Sequence, residues 1–344
     1  MNKIKLNEVA LSLVESSKGI LAADESTGTI TKRFNQINID SNFENRRKYR
    51  ELLFSTDNLE NYISGVILFD ETIKQTDEKN QKFVELLNKK KIKVGIKVDG
   101  GTIPLAGSSD EKITQGIDGL HERINEYKSL GAVFTKWRAV ISINQNKLPT
   151  YYCIKLNNHL LARYAKIVQE LDLVPIVEPE VLMDGDHSIE KCLEVTSKTL
   201  KSLFEELDFQ NVYLQGILLK PNMVISGSNS KIQASDQQVA DLTVDCLKKN
   251  VPADVPGIVF LSGGQSNELA TQHLNLMNKE NGLPFKLSFS YGRALQQPAI
   301  SEWKGLDKNI LNSQNQLFKR SKLNSLAAQG LYNKELEKEN LWQV

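Results

Sequence analysis

The sequence predicts an α/β protein folded as a single (β/α)8 TIM barrel. Three observations carry that prediction. Short apolar runs, β-branched in large part, alternate with longer stretches of helical spacing; eight such runs lie between residues 19 and about 330; and no Pro/Gly/Ser-rich linker divides the 344 residues. Strand then helix, repeated, implies parallel pairing with right-handed crossovers, and about 250 residues plus insertions is the usual size of such a barrel. The alternative is an open doubly wound sheet, but the early G-x-G-x-x-G turn of that fold is absent. Residues 1–344 therefore read as one barrel domain with a short C-terminal tail from about 331.

Each element has its own signal. GILAAD (19–24) and ISGVILFD (63–70) are apolar up to a closing aspartate, and VGIKVD (94–99) and VFTKWRAV (133–140) each carry two charges spaced two apart. VPIVEPE (174–180) repeats that spacing with two glutamates, VYLQGILLK (212–220) ends on a lysine before Pro221, and GIVFLSG (257–263) and LSFSYG (287–292) end on glycine. Between them, Leu156, Leu160, Leu161, Tyr164, Ile167, Val168 and Leu171 form a stripe at helical period, and Ile189, Cys192, Leu193, Leu200, Leu203, Phe204 and Leu207 form another. Ser235 with Gln238 reads as a capping box opening the next helix.

Composition narrows the function classes. Forty-three Lys plus Arg against 42 Asp plus Glu leave a net charge of +1, so no global field draws the chain to nucleic acid or an anionic membrane, and an anionic ligand must be met by a local site. No window approaches the roughly 20 apolar residues of a membrane span, and the N-terminus has no apolar core followed by a cleavage signature. Cys153, Cys192 and Cys246 match neither a disulfide framework nor a metal knuckle. Three buried thiols in a reducing, cytoplasmic setting are expected.

In a barrel, chemistry gathers at the C-terminal ends of the strands. Asp24, Lys97, Asp99, Lys136, Arg138, Glu178, Glu180 and Lys220 all fall at those ends. Residues two apart on a strand share a face, so Lys97 with Asp99, Lys136 with Arg138, and Glu178 with Glu180 are each expected to point inward together. A lone strand-end charge is ordinarily solvated; convergence from five strands on one mouth demands internal pairing, because removing each ion from water costs several kcal/mol. Lys220, on a largely apolar run near other cations, is expected to have its pKa lowered by desolvation and like charge, and a neutral amine is what a Schiff-base nucleophile requires.

The last two strands carry a different signal. LSGGQS (261–266) and SYGRALQ (290–296) each pass from a glycine turn into a helix, the second supplying Arg293. Backbone N–H groups freed at helix N-termini hold anions, and in barrels phosphate sits after strands seven and eight. Ser262, Gly263, Gly264, Ser290, Gly292 and Arg293 are the candidates there. A second anion is assigned to Lys97, Arg33, Ser26 and Thr29 across the mouth. No metal is implied: His121, His159, His187 and His273 lie far apart, none at a strand end, and read as surface or helix-packing residues.

GILAADESTGT, GIKVD, FTKWR, VPIVEPE, YLQGILLKPNMV, FLSGGQS and SFSYGRALQ, in this order and spacing, resemble the class I fructose-1,6-bisphosphate aldolases over nearly the whole chain. The resemblance implies a cytoplasmic glycolytic and gluconeogenic lyase, commonly a homotetramer, that cleaves fructose 1,6-bisphosphate reversibly to dihydroxyacetone phosphate and glyceraldehyde 3-phosphate without metal or cofactor. It implies an imine between Lys220 and the ketose C2, Asp24 acting at the C4 hydroxyl, and Glu178 as acid and base in the carbinolamine and imine steps. Glu180, Lys136 and Arg138 would order that network. Ser262, Gly263, Gly292 and Arg293 would hold the C1 phosphate, with Lys97, Arg33 and Ser26 at the C6 phosphate. Secondary cytoskeletal partners are also known for such enzymes.

The chain departs from the pattern in places. Many members end in a tyrosine on a mobile tail; this chain ends ENLWQV, with Tyr332 and Trp342 its nearest aromatics. Gly100 stands where a lysine is common, which weakens the C6-phosphate side, and Thr29 replaces a frequent serine while keeping the hydroxyl. Two other readings follow from the same residues: a scaffold that keeps the fold without the chemistry, and a Schiff-base enzyme for another sugar phosphate. The presence of Lys220, Asp24 and Glu178 argues against the first. Two anion-binding sides argue against the second.

Overall fold

The structure, a computed structural model, describes residues 1–108, 110–144, 148–280 and 282–339. Trp342 and residues 340–344 of the expected tail lie outside the described residues. Eight parallel strands close a barrel in the order β1-β10-β9-β8-β7-β6-β3-β2. They are β1 (Gly19–Ala23), β2 (Ile63–Leu68), β3 (Lys93–Lys97), β6 (Phe134–Ile141), β7 (Val174–Val181), β8 (Leu218–Leu219), β9 (Gly257–Phe260) and β10 (Lys286–Tyr291). The order is that of right-handed βα units, apart from an inserted antiparallel hairpin, β4 (Thr102–Pro104) with β5 (Lys112–Thr114), between β3 and β6. The sequence reading contains no such hairpin.

Helices α1 (Lys3–Leu13), α2 (Thr27–Asn35), α3 (Phe43–Phe54), α4 (Asp70–Ile73), α5 (Phe83–Lys89) and α6 (Leu120–Ser129) belong to the first half. The second half holds α7 (Tyr151–Glu170), α8 (Ile189–Phe209), α9 (Asp236–Asn250), α10 (Asn267–Met277), α11 (Arg293–Trp303) and α12 (Ile310–Ala327). The second stripe is the buried face of α8, Leu193 alone being half-buried, whereas in α7 only Leu161, Tyr164 and Val168 of the first stripe are buried and the inward face runs instead through Cys153, Ile154, Asn157, Ala162 and Ala165. The capping box at the start of α9 is present in full, Ser235 accepting from the Gln238 backbone and Gln238 from the Ser235 backbone. All three cysteines are buried and free.

The sixth strand is much shorter than expected. Residues 212–220 read as one run, yet Leu214–Gly216 form a 3-10 turn and only Leu218–Leu219 pair as a strand. Side chains from neighbouring helices take the backbone groups a ladder would use: Gln169 of α7 donates to the carbonyls of Tyr213 and Gly216 and accepts from the Tyr213 N–H. Asn7 of α1 donates to the Gln215 carbonyl. The backbone is satisfied without pairing, so burial alone does not extend the strand.

The N-terminal end of the barrel is closed by apolar packing. Leu6, Ala10 and Leu13 of α1 join Phe134, Val174, Ile176 and Leu218 in one buried cluster. Phe134 fills so much of that end that a Cβ on Gly95 of the adjacent strand would collide with its ring, which is why the tight approach requires glycine at that point. The opposite end is left open for polar side chains.

Candidate active site

At the C-terminal end of the strands lies a cavity of about 660 Å³. Every residue singled out from the sequence for catalysis or substrate binding lines it: Lys220, Glu178, Asp24, Lys136 and Glu180; Arg138, Lys97, Arg33, Ser26 and Thr29; and Ser262, Gly263, Gly264, Ser290, Gly292 and Arg293. Asp99 lies behind this wall, its Oδ1 2.6 Å from Lys97 Nζ and its Oδ2 accepting from the Arg138 N–H at 3.3 Å.

Register explains the convergence. Lys97 is paired with Lys136 across β3 and β6, and Arg138 with Glu178 across β6 and β7. Two lysines thus stand side by side at one level and Arg138 beside Glu178 at the next, so carboxylates from neighbouring strand ends meet the cations. Lys220 follows β8 directly, its N–H bonded to the Val177 carbonyl at 2.9 Å, while the Pro221 carbonyl accepts from Leu261. Pro221 can occupy the next position because this part of β8 does not continue a two-sided ladder.

The centre is a buried chain of ion pairs. Lys136 Nζ stands 2.7 Å from Asp24 Oδ2 and 3.3 Å from Glu178 Oε2, and Lys220 Nζ stands 3.1 Å from Glu178 Oε1. Burial alone would push the Asp24 carboxyl up, but Lys136, Lys220 and Lys97 together hold it down at about 2. Asp24 therefore stays ionised through the neutral range. Lys136 shows the converse: burial opposes its charge, yet Asp24, Glu178 and Asp99 hold its pKa above the usual lysine range. Glu178 Oε2 is buried and makes no hydrogen bond among the described residues. Oε2 stands on the Lys136 side, and Oε1 is the oxygen beside the Lys220 amine.

Arg138 donates to Glu180, and burial, the largest influence on the guanidinium, is outweighed by that carboxylate. Glu25 is the main residue that the sequence reading missed. It is 8% exposed, with Oε1 2.5 Å from Arg33 and Oε2 2.8 Å from Arg50. Burial would raise its pKa, and the two arginines pull it below the ordinary carboxylate value. Gln296 of α11 ties the same carboxylate to the Ala22 carbonyl, donating at 2.9 and 2.7 Å. Only its adjacency to Asp24 in the ADES stretch hinted at such a role.

The rim is backbone and glycine. Ser262–Gln265 form a turn closed by the Gln265 N–H on the Ser262 carbonyl at 3.1 Å. Gly263 and Gly264 have φ of +55° and +88°, values that suit a type I′ turn and that favour glycine at both places. A Cβ on Gly264 would also lie 3.1 Å from Arg293 Nη2. Ser290 Oγ is buried without a hydrogen-bond partner among the described residues. Ser26 caps α2, its hydroxyl 3.1 Å from that of Thr29, so the α2 N-terminus also opens on the cavity. A Cβ on Gly292 would be 3.9 Å from Arg33 Nη2. Arg33 thus reaches the α11 turn, because β1 and β10 are neighbours in the barrel.

The wall between these regions is zipped together by backbone bonds from Gly227, Ser228 and Asn229 to the carbonyls of His187, Met183 and Gly185, each at 2.8 Å. Among the described residues, no group of three or more His, Cys, Asp or Glu side chains is arranged to hold a metal ion. No described helix is long and apolar enough to cross a membrane. The arrangement offers an amine beside a carboxylate, a second carboxylate kept ionised, and two anion-receptive rims.

Comparison with known proteins gives the same direction. The family model described as fructose-bisphosphate aldolase class-I matches residues 5–343. A probable fructose-bisphosphate aldolase class 1 of Xanthomonas axonopodis pv. citri is 54% identical over 327 residues, covering 95% of this chain and 98% of the relative. The non-muscle-type fructose-bisphosphate aldolase of Lethenteron camtschaticum is 50% identical over 332 residues, covering 96% and 91%. Among solved structures, the fructose-bisphosphate aldolase from Plasmodium falciparum, in complex with TRAP and a small-molecule inhibitor, superposes with a TM-score of 0.95 at 48% identity over 96% of both chains.

Proposed function

The chain belongs to the class I fructose-bisphosphate aldolase family, and on that premise we propose how its own side chains divide the reaction. The activity is the family's, a metal-independent lyase reaction through a lysine Schiff base that cleaves fructose 1,6-bisphosphate reversibly. In the proposed division, Glu178 takes a proton from the Lys220 ammonium, the freed amine attacks the ketose C2, and Glu178 returns that proton to the carbinolamine hydroxyl, which leaves as water. The resulting protonated imine is an electron sink. Asp24 then takes the C4 hydroxyl proton, the C3–C4 bond breaks, and its electrons pass into the imine to leave an enamine. Protonation at C3 and hydrolysis return the free lysine.

The observation that carries this reading is the 3.1 Å approach of Lys220 Nζ to Glu178, with Lys136 bridging Glu178 to an Asp24 held ionised. A base that stays ionised and an acid beside the nucleophile satisfy the two proton-transfer tasks separately. Glu180 and Arg138 order the network from its edge. The turn bearing Ser262, Gly263 and Gly264, with Ser290, Gly292 and Arg293, is assigned to the C1 phosphate, and Ser26, Thr29, Lys97 and Arg33 to the C6 phosphate. We assign residues 1–344 to one domain and place the protein in the cytoplasm as a homotetramer, with sugar phosphates as substrates and cytoskeletal proteins as secondary partners. Light scattering after size exclusion tests the tetramer.

The test of the chemistry is to incubate the protein with dihydroxyacetone phosphate, reduce with borohydride and locate the modified peptide by mass spectrometry. An adduct on Lys220, lost in Lys220→Met together with turnover, supports the assignment. A folded Lys220→Met protein that still cleaves substrate would overturn it.

A further inference from the structure

His273 and Gln265 lie outside the catalytic ion-pair chain, yet both are buried directly behind the Ser262–Gln265 turn, at 5% and 8% exposure. Gln265 Nε2 approaches the Ser262 carbonyl at 3.1 Å, and Gln265 Oε1 approaches His273 Nδ1 at 2.6 Å. A carbonyl oxygen only accepts, so the side-chain nitrogen of Gln265 faces Ser262 and its oxygen faces the imidazole. His273 Nδ1 must therefore carry a hydrogen. Nε2 is left as the nitrogen that titrates, and it faces Asp236 Oδ1 of α9 at 3.4 Å. Asp236 Oδ2 in turn lies 3.7 Å from Lys334 Nζ, on the turn that follows α12.

The polarity of this chain runs toward the cavity. His273 donates to Gln265, Gln265 donates to the Ser262 carbonyl, and that carbonyl belongs to the same peptide as the Gly263 N–H. The N–H groups of Ser262, Gly263 and Gly264 have no backbone acceptor among the described residues. Hydrogen bonds arranged head to tail polarise one another, so donation into the Ser262 carbonyl strengthens donation from Gly263 on the other side of the peptide.

We propose that His273 is a positioning residue for phosphate binding: through Gln265 it holds the Ser262–Gly264 turn in its anion-receptive shape, and protonation of Nε2 against Asp236 tightens that hold. The proposal rests on the assignment of this turn to a substrate phosphate. The charged groups that bear on the imidazole are Asp236 from α9, which favours its protonation, and Lys334 from the C-terminal turn, which opposes it. Burial is the larger influence and holds the imidazole below its ordinary value of 6.5, so protonation sets in toward the acid end. At low pH the charged imidazole is a stronger donor to Gln265.

The test measures KM and kcat for fructose 1,6-bisphosphate with the full-length enzyme from about pH 5 to 8, the range over which histidines titrate. His273→Ala is expected to raise KM about fivefold, the effect of losing one net hydrogen bond, with kcat nearly unchanged. His273→Asn, whose amide nitrogen replaces the Nδ1 donor, is expected to restore the KM at the alkaline end. It should lack the tightening seen in the parent at low pH, so the ratio of the two KM values changes with pH although substrate titration is common to both. Asp236→Asn should move that change to lower pH. Arg293→Ala tests the underlying assignment separately: an unchanged KM there would remove the phosphate reading and this proposal with it. A raised KM in Arg293→Ala with no effect in His273→Ala would overturn the positioning role alone. If His273→Ala does not fold, the pH-dependent ratio of parent to His273→Asn decides, and a flat ratio overturns the proposal.

Discussion

At the C-terminal end of the barrel Lys136, Asp24, Glu178 and Lys220 form a buried chain of ion pairs, whereas at the N-terminal end Leu6, Ala10 and Leu13 press on Phe134, Val174 and Ile176. The apolar end is closed to water by packing, whereas the charged end opens on the cavity and buries only the ion pairs at its floor. The apolar end gains free energy from area, roughly 25 cal/mol per Å² buried. The charged end costs several kcal/mol of desolvation per ion before its pairings offset that loss. The same strands therefore carry stability at one end and chemistry at the other, and a substitution should reveal which end it touches by what it removes.

Lys136→Met should have the largest effect. Removing the cation leaves Asp24 and Glu178 buried without their shared partner, so turnover is expected to fall on the order of 10³-fold. Stopped assays of kcat on protein shown to be folded by circular dichroism check this. Turnover within tenfold of the parent would mean that Asp24 and Glu178 are ordered by something other than Lys136.

Phe134→Ala is the counterpart at the apolar end. Deleting a fully buried ring from the Gly95 and Leu13 contacts is expected to cost about 3–5 kcal/mol of stability, read from denaturant unfolding. The kcat of the folded fraction should stay at the parental value. A loss of turnover per folded molecule would show that the two ends are mechanically coupled, contrary to the division drawn here.

The sequence made these two ends unequally legible. Charges at the ends of apolar strands are conspicuous, so Asp24, Lys97, Lys136, Arg138, Glu178, Glu180 and Lys220 stood out, and all of them meet in one cavity. Their partners did not stand out. The sequence presents Lys220 as a lysine among cations, yet Glu178 from the adjacent strand stands 3.1 Å from its amine; lateral pairing depends on strand order, which a single chain does not spell out. Glu25 is inconspicuous in the sequence because its partners, Arg33 and Arg50, come from two helices that fold back on it. The shortened β8 was hidden for the same reason, since Gln169 and Asn7 satisfy its backbone from distant positions.

Gly264→Ala probes the phosphate rim, where neither area nor ion pairing dominates. Its φ of +88° costs an L-residue of order 1–2 kcal/mol, and the added methyl would collide with the Met183 Sδ and crowd Arg293 Nη2. KM for the bisphosphate is expected to rise roughly tenfold, with the borohydride-trapped adduct on Lys220 still formed from unphosphorylated dihydroxyacetone. An unchanged KM would mean that this turn does not carry a phosphate.

The smallest expected effect is also the one that separates the two ends without altering a contact, because it changes only pH. Asp24 is held at about 2 from an ordinary value of 3.8, so its ionised form is favoured in the folded state. The stability it contributes is full above the unfolded value and is lost as pH falls from there through about 2. A shift of that size corresponds to about 2 kcal/mol in all, of which roughly 1 kcal/mol should be gone by pH 3. Urea unfolding at pH 5 and pH 3 reads it as a steeper loss in the parent than in Asp24→Asn. Phe134→Leu, confined to the apolar end, should keep the parental slope. If Asp24→Asn and the parent lose stability in parallel, the carboxylate is not held down by Lys136, and the chain of ion pairs does not supply the ionised base that cleavage of the C3–C4 bond requires.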